Sequence, residues 1–241
     1  MSKYQALLIE KSDSGFTRKV VERETAELPE GDVLIDVRYS SLNYKDGLSA
    51  TGNPGVTRTF PHTPGIDAAG LVIESAAAQF KPGDQVICIG FDLGMNTPGG
   101  YGQRVRVPAG WVIACPDGLS LHQSMVLGTA GFTAALAVHK LEQVGMTPAS
   151  GPVLVTGASG GVGSVAVMLL ATLGYEVTAV TGKTEQHEFL RSLGAAALMS
   201  RDDARQGADR PLLAETWGGV VDTVGGEILF NAVKSLRYGA S

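Results

Sequence analysis

Residues 153–164 read V-L-V-T-G-A-S-G-G-V-G-S, an apolar strand that runs into three spaced glycines and then into an apolar helix. A second strand follows at 175–181. Strand, glycine loop, helix and strand in that order make a βαβ unit, which requires a parallel sheet with a crossover. In such a unit Gly157, Gly160 and Gly163 have separate tasks: a tight turn, backbone approach to a pyrophosphate, and close helix–strand contact. The helix N-terminus then offers free N–H groups and its positive dipole end to phosphates. The loop therefore predicts a dinucleotide site built from Gly157, Ser159, Gly160, Gly161, Val162, Gly163 and Ser164. The alternative is a glycine-rich turn kept for packing.

The group that reads the adenosine ribose comes at the end of the second strand, about 20 residues on. Sites for NAD place Asp or Glu there, whereas this chain has Thr181, Gly182 and Lys183. A hydroxyl and an ammonium without a carboxylate suit a 2′-phosphate, so NADP(H) is the expected cofactor. Arg201, after the third strand, could stack on adenine or clasp that phosphate. Lys183 as the solvated start of the next helix is the alternative. T-G-A-S-G-G-V-G also fits the loop of short-chain dehydrogenases. Those enzymes begin with the loop and need a Tyr-x-x-x-Lys pair, and none of the six tyrosines here has lysine four residues later.

The first 115 or so residues have a different character. Strand-length runs at 4–9, 33–39, 68–75, 85–89, 103–108 and 111–115 alternate with Gly and Pro turns such as T-G-N-P-G and K-P-G-D. They suggest a β-rich barrel or partly open sheet. A helix over 120–144 follows, closed by M-T-P-A-S-G-P. Beyond the glycine loop come a helix at 185–193, strands at 197–200 and 219–223, and a helix at 227–236. The expected organisation is an α/β chain: a β-rich domain over 1–118 and a dinucleotide domain over 119–241.

Composition bounds the partners. Hydrophobic residues make up 44% of 241 and mean hydropathy is +0.12, which supplies a core and rules out disorder. A net charge of −5 argues against nucleic acid. Cys88 and Cys115 cannot build a disulfide framework or a zinc cluster, and both read as small buried hydrophobes. The N-terminus has no apolar signal region, and no stretch nears 18 uncharged apolar residues. The expected setting is a reducing cytoplasm, with no membrane.

Five motifs carry a family resemblance: S-S-L-N-Y-K-D-G-L, F-P-H-T-P-G-I-D-A-A-G, F-K-P-G-D-Q-V, L-G-T-A-G-F-T-A and V-T-G-A-S-G-G-V-G-S. Over its whole length the chain resembles the medium-chain dehydrogenase/reductase superfamily, in its zinc-free quinone oxidoreductase-like branch. The resemblance implies a GroES-like β-rich catalytic domain followed by a Rossmann domain. Zinc-dependent relatives carry Cys where this chain reads Asn43-Tyr44-Lys45-Asp46, and His-Glu where it reads Ile66-Asp67. His62, His122, His139 and His187 are scattered without ligand spacing, so no catalytic metal is expected. A site without a Lewis acid suits hydride delivery to an activated alkene, whose developing enolate hydrogen bonds can hold.

The resemblance points to NADPH-dependent reduction of a 2-enoyl thioester such as acryloyl-CoA. A quinone is the alternative acceptor, and an inactive nucleotide-binding fragment is a third reading. It implies that Tyr44 faces the nicotinamide and that Tyr44 or water gives the proton. A packing role is the alternative for this ring. Asn43 and Asp67 are expected as orienting groups, although Asp67 could equally cap a turn, and Thr129 is expected against the cofactor. The dehydrogenase-type sheet has six strands, whereas four and the approach to a fifth are legible here. The expectation is a shortened chain, with a homodimer only for a full-length form.

Overall fold

Short runs rich in Val and Ile, divided by Pro and Gly turns, favour pleated strands over helices. In the computed structural model, which describes residues 2–241, β1 (Lys3–Ser12) and β2 (Gly15–Glu24) pair as an antiparallel hairpin. A five-stranded antiparallel sheet joins β3 (Val33–Tyr39), β4 (Asp67–Ser75), β5 (Gln85–Ile89), β6 (Arg104–Val107) and β7 (Val112–Ala114) in the order β6-β3-β4-β5-β7. Val33, Ile35, Ala68, Val72, Val86, Cys88, Val105 and Val107 form its core. Two elements differ from the sequence reading. No residue of β2 is buried, so it lacks the apolar alternation that marks a strand, and its ten-residue ladder with β1 holds it. α1 (Tyr44–Ala50) is a helix between the expected strands at 33–39 and 68–75, where the sequence reading gives no helix.

The chain divides into two compact units between Thr129 and Ala130, beyond the expected 118/119. The reason is visible in α2 (Leu121–Gln143): its first turns set Leu121 and Met125 against Ala69 and Ile87 of the antiparallel sheet. α2 is also not one continuous helix, because Gly128 (φ 51°, ψ −158°) breaks it. By length and hydropathy α2 alone among the described residues suits a membrane span. Leu121 and Met125 before the break and Ala134, Val138 and Leu141 after it are buried in cores, while Val126 and Phe132 are exposed.

In the second unit, Val153, Val155, Val177 and Ala179 are wholly buried. They lie on β8 (Val153–Val155) and β9 (Val177–Val180), which join β10 (Ala197–Met199) and β11 (Gly219–Val221) in a parallel sheet of order β10-β9-β8-β11. Counted along the chain this is 3-2-1-4, the opening of the doubly wound order. α3 (Gly161–Thr172) buries Ala166, Val167 and Leu170 in the same core as Ala134, Val138 and Leu141 of α2. α4 (His187–Ser192), α5 (Arg201–Arg205) and α6 (Gly226–Lys234) complete the unit. Residues 236–241 run beside β11: Arg237 N–H donates to the Trp217 carbonyl and Val220 N–H to that of Ser241, each at 2.9 Å.

Candidate active site

In the first unit the predicted site residues meet around one buried carboxylate. Asp67 opens β4 and is wholly buried. Its Oδ2 accepts from Asn43 Nδ2 at 3.0 Å, from Thr129 N–H at 2.9 Å and from the Ser41 hydroxyl, and its Oδ1 accepts from the Thr129 hydroxyl at 2.5 Å. Asp67 is therefore a hub on a strand and not a turn cap. The approach depends on Gly128. A Cβ there would lie 2.8 Å from Asp67 Oδ2 and 3.0 Å from Ser41, at a φ that side chains avoid.

Asn43 is held from both sides. Its side chain faces Asp67, while its N–H donates to Asp46 Oδ2 at 2.8 Å, which closes the first turn of α1. Asp46 is 1% exposed, and its Oδ1 accepts from Ile66 N–H at 2.9 Å. The Tyr101 hydroxyl donates to Asp46 Oδ2 at 3.0 Å. Burial first, and the Asp46 charge second, hold the Tyr101 phenol well above its ordinary pKa, so it stays a donor. Tyr44, the next residue, opens α1 and is 85% exposed.

Ser41, Asp46, Tyr101 and Gly128 are site residues that sequence reasoning missed. The Asn43-x-x-Asp46 spacing was a usable signal, since it is a capping pattern. Tyr101 had none, because it lies 55 positions from its partner Asp46. The histidines join no site. His62 is buried with Nε2 2.9 Å from the Gly94 carbonyl oxygen, and burial lowers its pKa. Burial likewise pushes the Cys88 thiol up to about 12. Among the described residues no group of three or more His, Cys, Asp or Glu side chains is placed to share a metal ion.

The glycine loop belongs to the second unit. Gly157 has φ +59°, and a Cβ on it would lie 2.3 Å from Thr223 Oγ1. A Cβ on Gly163 would lie 2.4 Å from the Gly157 carbonyl oxygen, so α3 packs on the loop through bare backbone. Gly160 caps α3, and Gly161, Val162 and Gly163 open its first turn, where N–H groups have no intrahelical acceptor, while Ser164 N–H closes the turn on the Gly160 carbonyl at 2.9 Å. Gly160 and Gly161 are exposed. At the end of β9 Thr181 is 4% exposed, and its hydroxyl lies 3.0 Å from Ser159 Oγ and accepts from Lys183 N–H at 3.1 Å. That hydroxyl ties the loop together and does not face outward. Gly182 and Lys183 are exposed, and a Cβ on Gly182 would lie 3.0 Å from Cδ and Nε of Arg201. Ser159, Thr181, Gly182, Lys183 and Arg201 thus share one end of the sheet, with no carboxylate at the close of β9.

A β-rich unit with a buried polar hub, followed by a parallel sheet with a glycine loop at a helix N-terminus, defines a class: dinucleotide-dependent enzymes of two parts. The family model for the alcohol dehydrogenase GroES-like domain matches residues 29–117. The acrylyl-CoA reductase AcuI of Ruegeria pomeroyi is 48% identical over 99% of this chain, which spans 73% of that protein. The yhdH oxidoreductase of Salmonella enterica, solved in complex with NADP, superposes with a TM-score of 0.95 at 47% identity, covering 98% of this chain and 72% of that one. The yhfP protein of Bacillus subtilis, solved with NAD bound and named a putative quinone oxidoreductase, superposes at 0.96 with 44% identity, covering 100% of this chain and 73% of that one. The chain belongs to the medium-chain dehydrogenase/reductase superfamily, among its quinone oxidoreductase-like members, and is an oxidoreductase.

Proposed function

We propose that the chain reduces an activated C=C bond with NADPH, taking a 2-enoyl thioester such as acryloyl-CoA as acceptor. The observation that carries this reading is the 48% identity with an acrylyl-CoA reductase, kept over 99% of the chain. The chain's own residues fit a dinucleotide: a Cβ at Gly163 has no room, and the bare first turn of α3 suits a pyrophosphate. Residues 157–164 would hold that group, and Lys183 and Arg201 would hold the 2′-phosphate. Thr129 and Tyr44 are assigned to the nicotinamide end by resemblance. When bound, the reduced nicotinamide supplies a hydride for the β-carbon.

The chain's side chains handle the proton and the geometry. The exposed Tyr44 hydroxyl, or a water, gives the α-carbon its proton. Asn43 orients that segment because Asp46 and Asp67 hold it from two sides. Hydrogen bonds suffice for the developing enolate, so the reaction needs no metal.

A quinone acceptor is the second reading, favoured by the name of the Bacillus subtilis relative, and that relative's bound NAD makes cofactor choice a necessary part of the test. The test is steady-state oxidation of NADPH and of NADH with acryloyl-CoA and with 1,4-naphthoquinone. Acryloyl-CoA with NADPH is expected to be the best pair. Lys183→Ala and Arg201→Ala are each expected to weaken NADPH about tenfold, a charge-assisted hydrogen bond partly screened by solvent, and to leave NADH unchanged. Equal dissociation constants for both cofactors refute the phosphate assignment. Turnover with the quinone alone refutes the thioester.

A further inference from the structure

Between Gly90 and Gly94 a tight loop turns its largest side chain outward. Phe91 has φ +54°, the only non-glycine residue in the left-handed region among those described. For a bulky aromatic that conformation is strained, and such strain persists only where the surroundings over-determine it. Here they do. Leu93 is wholly buried in the core of the antiparallel sheet. The Asp92 carboxylate accepts from Asn96 Nδ2 at 3.0 Å and Thr97 Oγ1 at 3.2 Å, and its carbonyl accepts from Met95 and Thr97 N–H at 3.1 and 3.2 Å.

The result runs against the tendency of aromatic rings to be covered. The Phe91 ring is 60% exposed and stacks on Trp111, with centroids 5.3 Å apart and planes 3° from parallel. The sheet register gives its place. Ile89 pairs with Asp67, Gly90 N–H donates to the Ile66 carbonyl at 3.1 Å, and Cys88 pairs with Val112. Phe91 and Trp111 therefore lie at the same end of the sheet as Asp67 and the Asn43–Tyr44 segment it anchors.

We propose that the outer face of Phe91 is a platform for the arm of the acyl thioester, the run of methylenes and amides that joins the sulfur to its nucleotide. This rests on the enoyl-thioester reading above. An aromatic face packs both apolar methylenes and planar amides, and the stack on Trp111 stops the ring folding down onto the sheet.

The test is the dissociation constant of CoA itself, measured by calorimetry, because CoA carries the arm but no alkene and needs no turnover. Phe91→Gly takes φ +54° without strain, and Phe91→Asn also tolerates it, so both variants keep the fold. Each is expected to weaken CoA about tenfold, the scale of one lost aromatic contact. Phe91→Tyr is expected to stay within about twofold, and NADPH affinity to stay the same in all three. Unchanged CoA affinity in the Gly and Asn variants, with wild-type binding intact, overturns the platform alone. Absence of CoA binding by the wild-type protein overturns the thioester reading and the platform with it. A raised KM for 1,4-naphthoquinone with unchanged CoA affinity overturns the platform in favour of a ring acceptor.

Discussion

Replacing Asp67 tests the hub of the first unit. In Asp67→Asn the amide oxygen can take the place of Oδ2 and still meet Ser41, Asn43 Nδ2 and Thr129 N–H. The amide NH₂ then faces the Thr129 hydroxyl, which can rotate to accept. What is lost is charge assistance. A hydrogen bond to an ionised group contributes about 1.5–3 kcal/mol against 0.5–1.5 for a neutral one, so three bonds lose about 1 kcal/mol each. The expected cost is about 2–3 kcal/mol. Asp67→Ala leaves the part-buried N–H of Thr129 without its acceptor, while Asn43 Nδ2 keeps Ser41 Oγ at 2.8 Å, so the loss of the carboxylate adds about 1–3 kcal/mol once neighbours relax. Urea unfolding measures both. Trp111 lies in the first unit and Trp217 in the second, so a Trp217→Phe background lets fluorescence report the first unit alone. A midpoint shift at constant m-value is the required signature. An Asn variant within about 0.5 kcal/mol of wild type, or an Ala variant no worse than Asn, refutes the hub.

Tyr44→Phe is expected to lower turnover with an enoyl thioester by about 10²–10⁴-fold, with NADPH affinity and melting temperature unchanged, since the hydroxyl is exposed and packs nothing; full turnover assigns the proton to water. Gly163→Ala drives a Cβ to 2.4 Å from the Gly157 carbonyl oxygen, so Trp217 fluorescence is expected to show a loss of about 1–3 kcal/mol and calorimetry a weaker NADPH complex. Burial holds His62 below the ordinary 6.5, so the folded state binds fewer protons than the unfolded one between the two values. Stability is therefore present above about pH 6.5 and lost as pH falls toward the folded value. His62→Gln is expected to flatten that acid limb in urea midpoints measured from pH 7 to 5, and an unchanged slope refutes the assignment.

The second unit was legible because its signals are local. Val153–Val155, the glycine loop and α3 are consecutive, and Gly163 answers a constraint imposed by a near neighbour in sequence, Gly157. The absence of a carboxylate at the end of β9 was equally plain. The side chain of Thr181 was not: its hydroxyl turns in to Ser159 and Lys183 N–H because the β9 terminus is buried.

The first unit shows what sequence alone withholds. β2 has no apolar alternation, since a hairpin held by its own ladder needs no buried face. Asn43, Asp67 and Thr129 were named as separate candidates, but nothing in their spacing states that the Asp67 carboxylate gathers the other two. Composition and motifs therefore determined the class of fold, the glycine loop and the residue types at the site. The tertiary structure decided which of those residues touch, that Gly128 breaks α2 to admit Asp67, and that Phe91 faces out. The physical reason is that a buried polar group must find its partners across the fold, and partners 24 and 62 positions away become neighbours only when strands and helices pack.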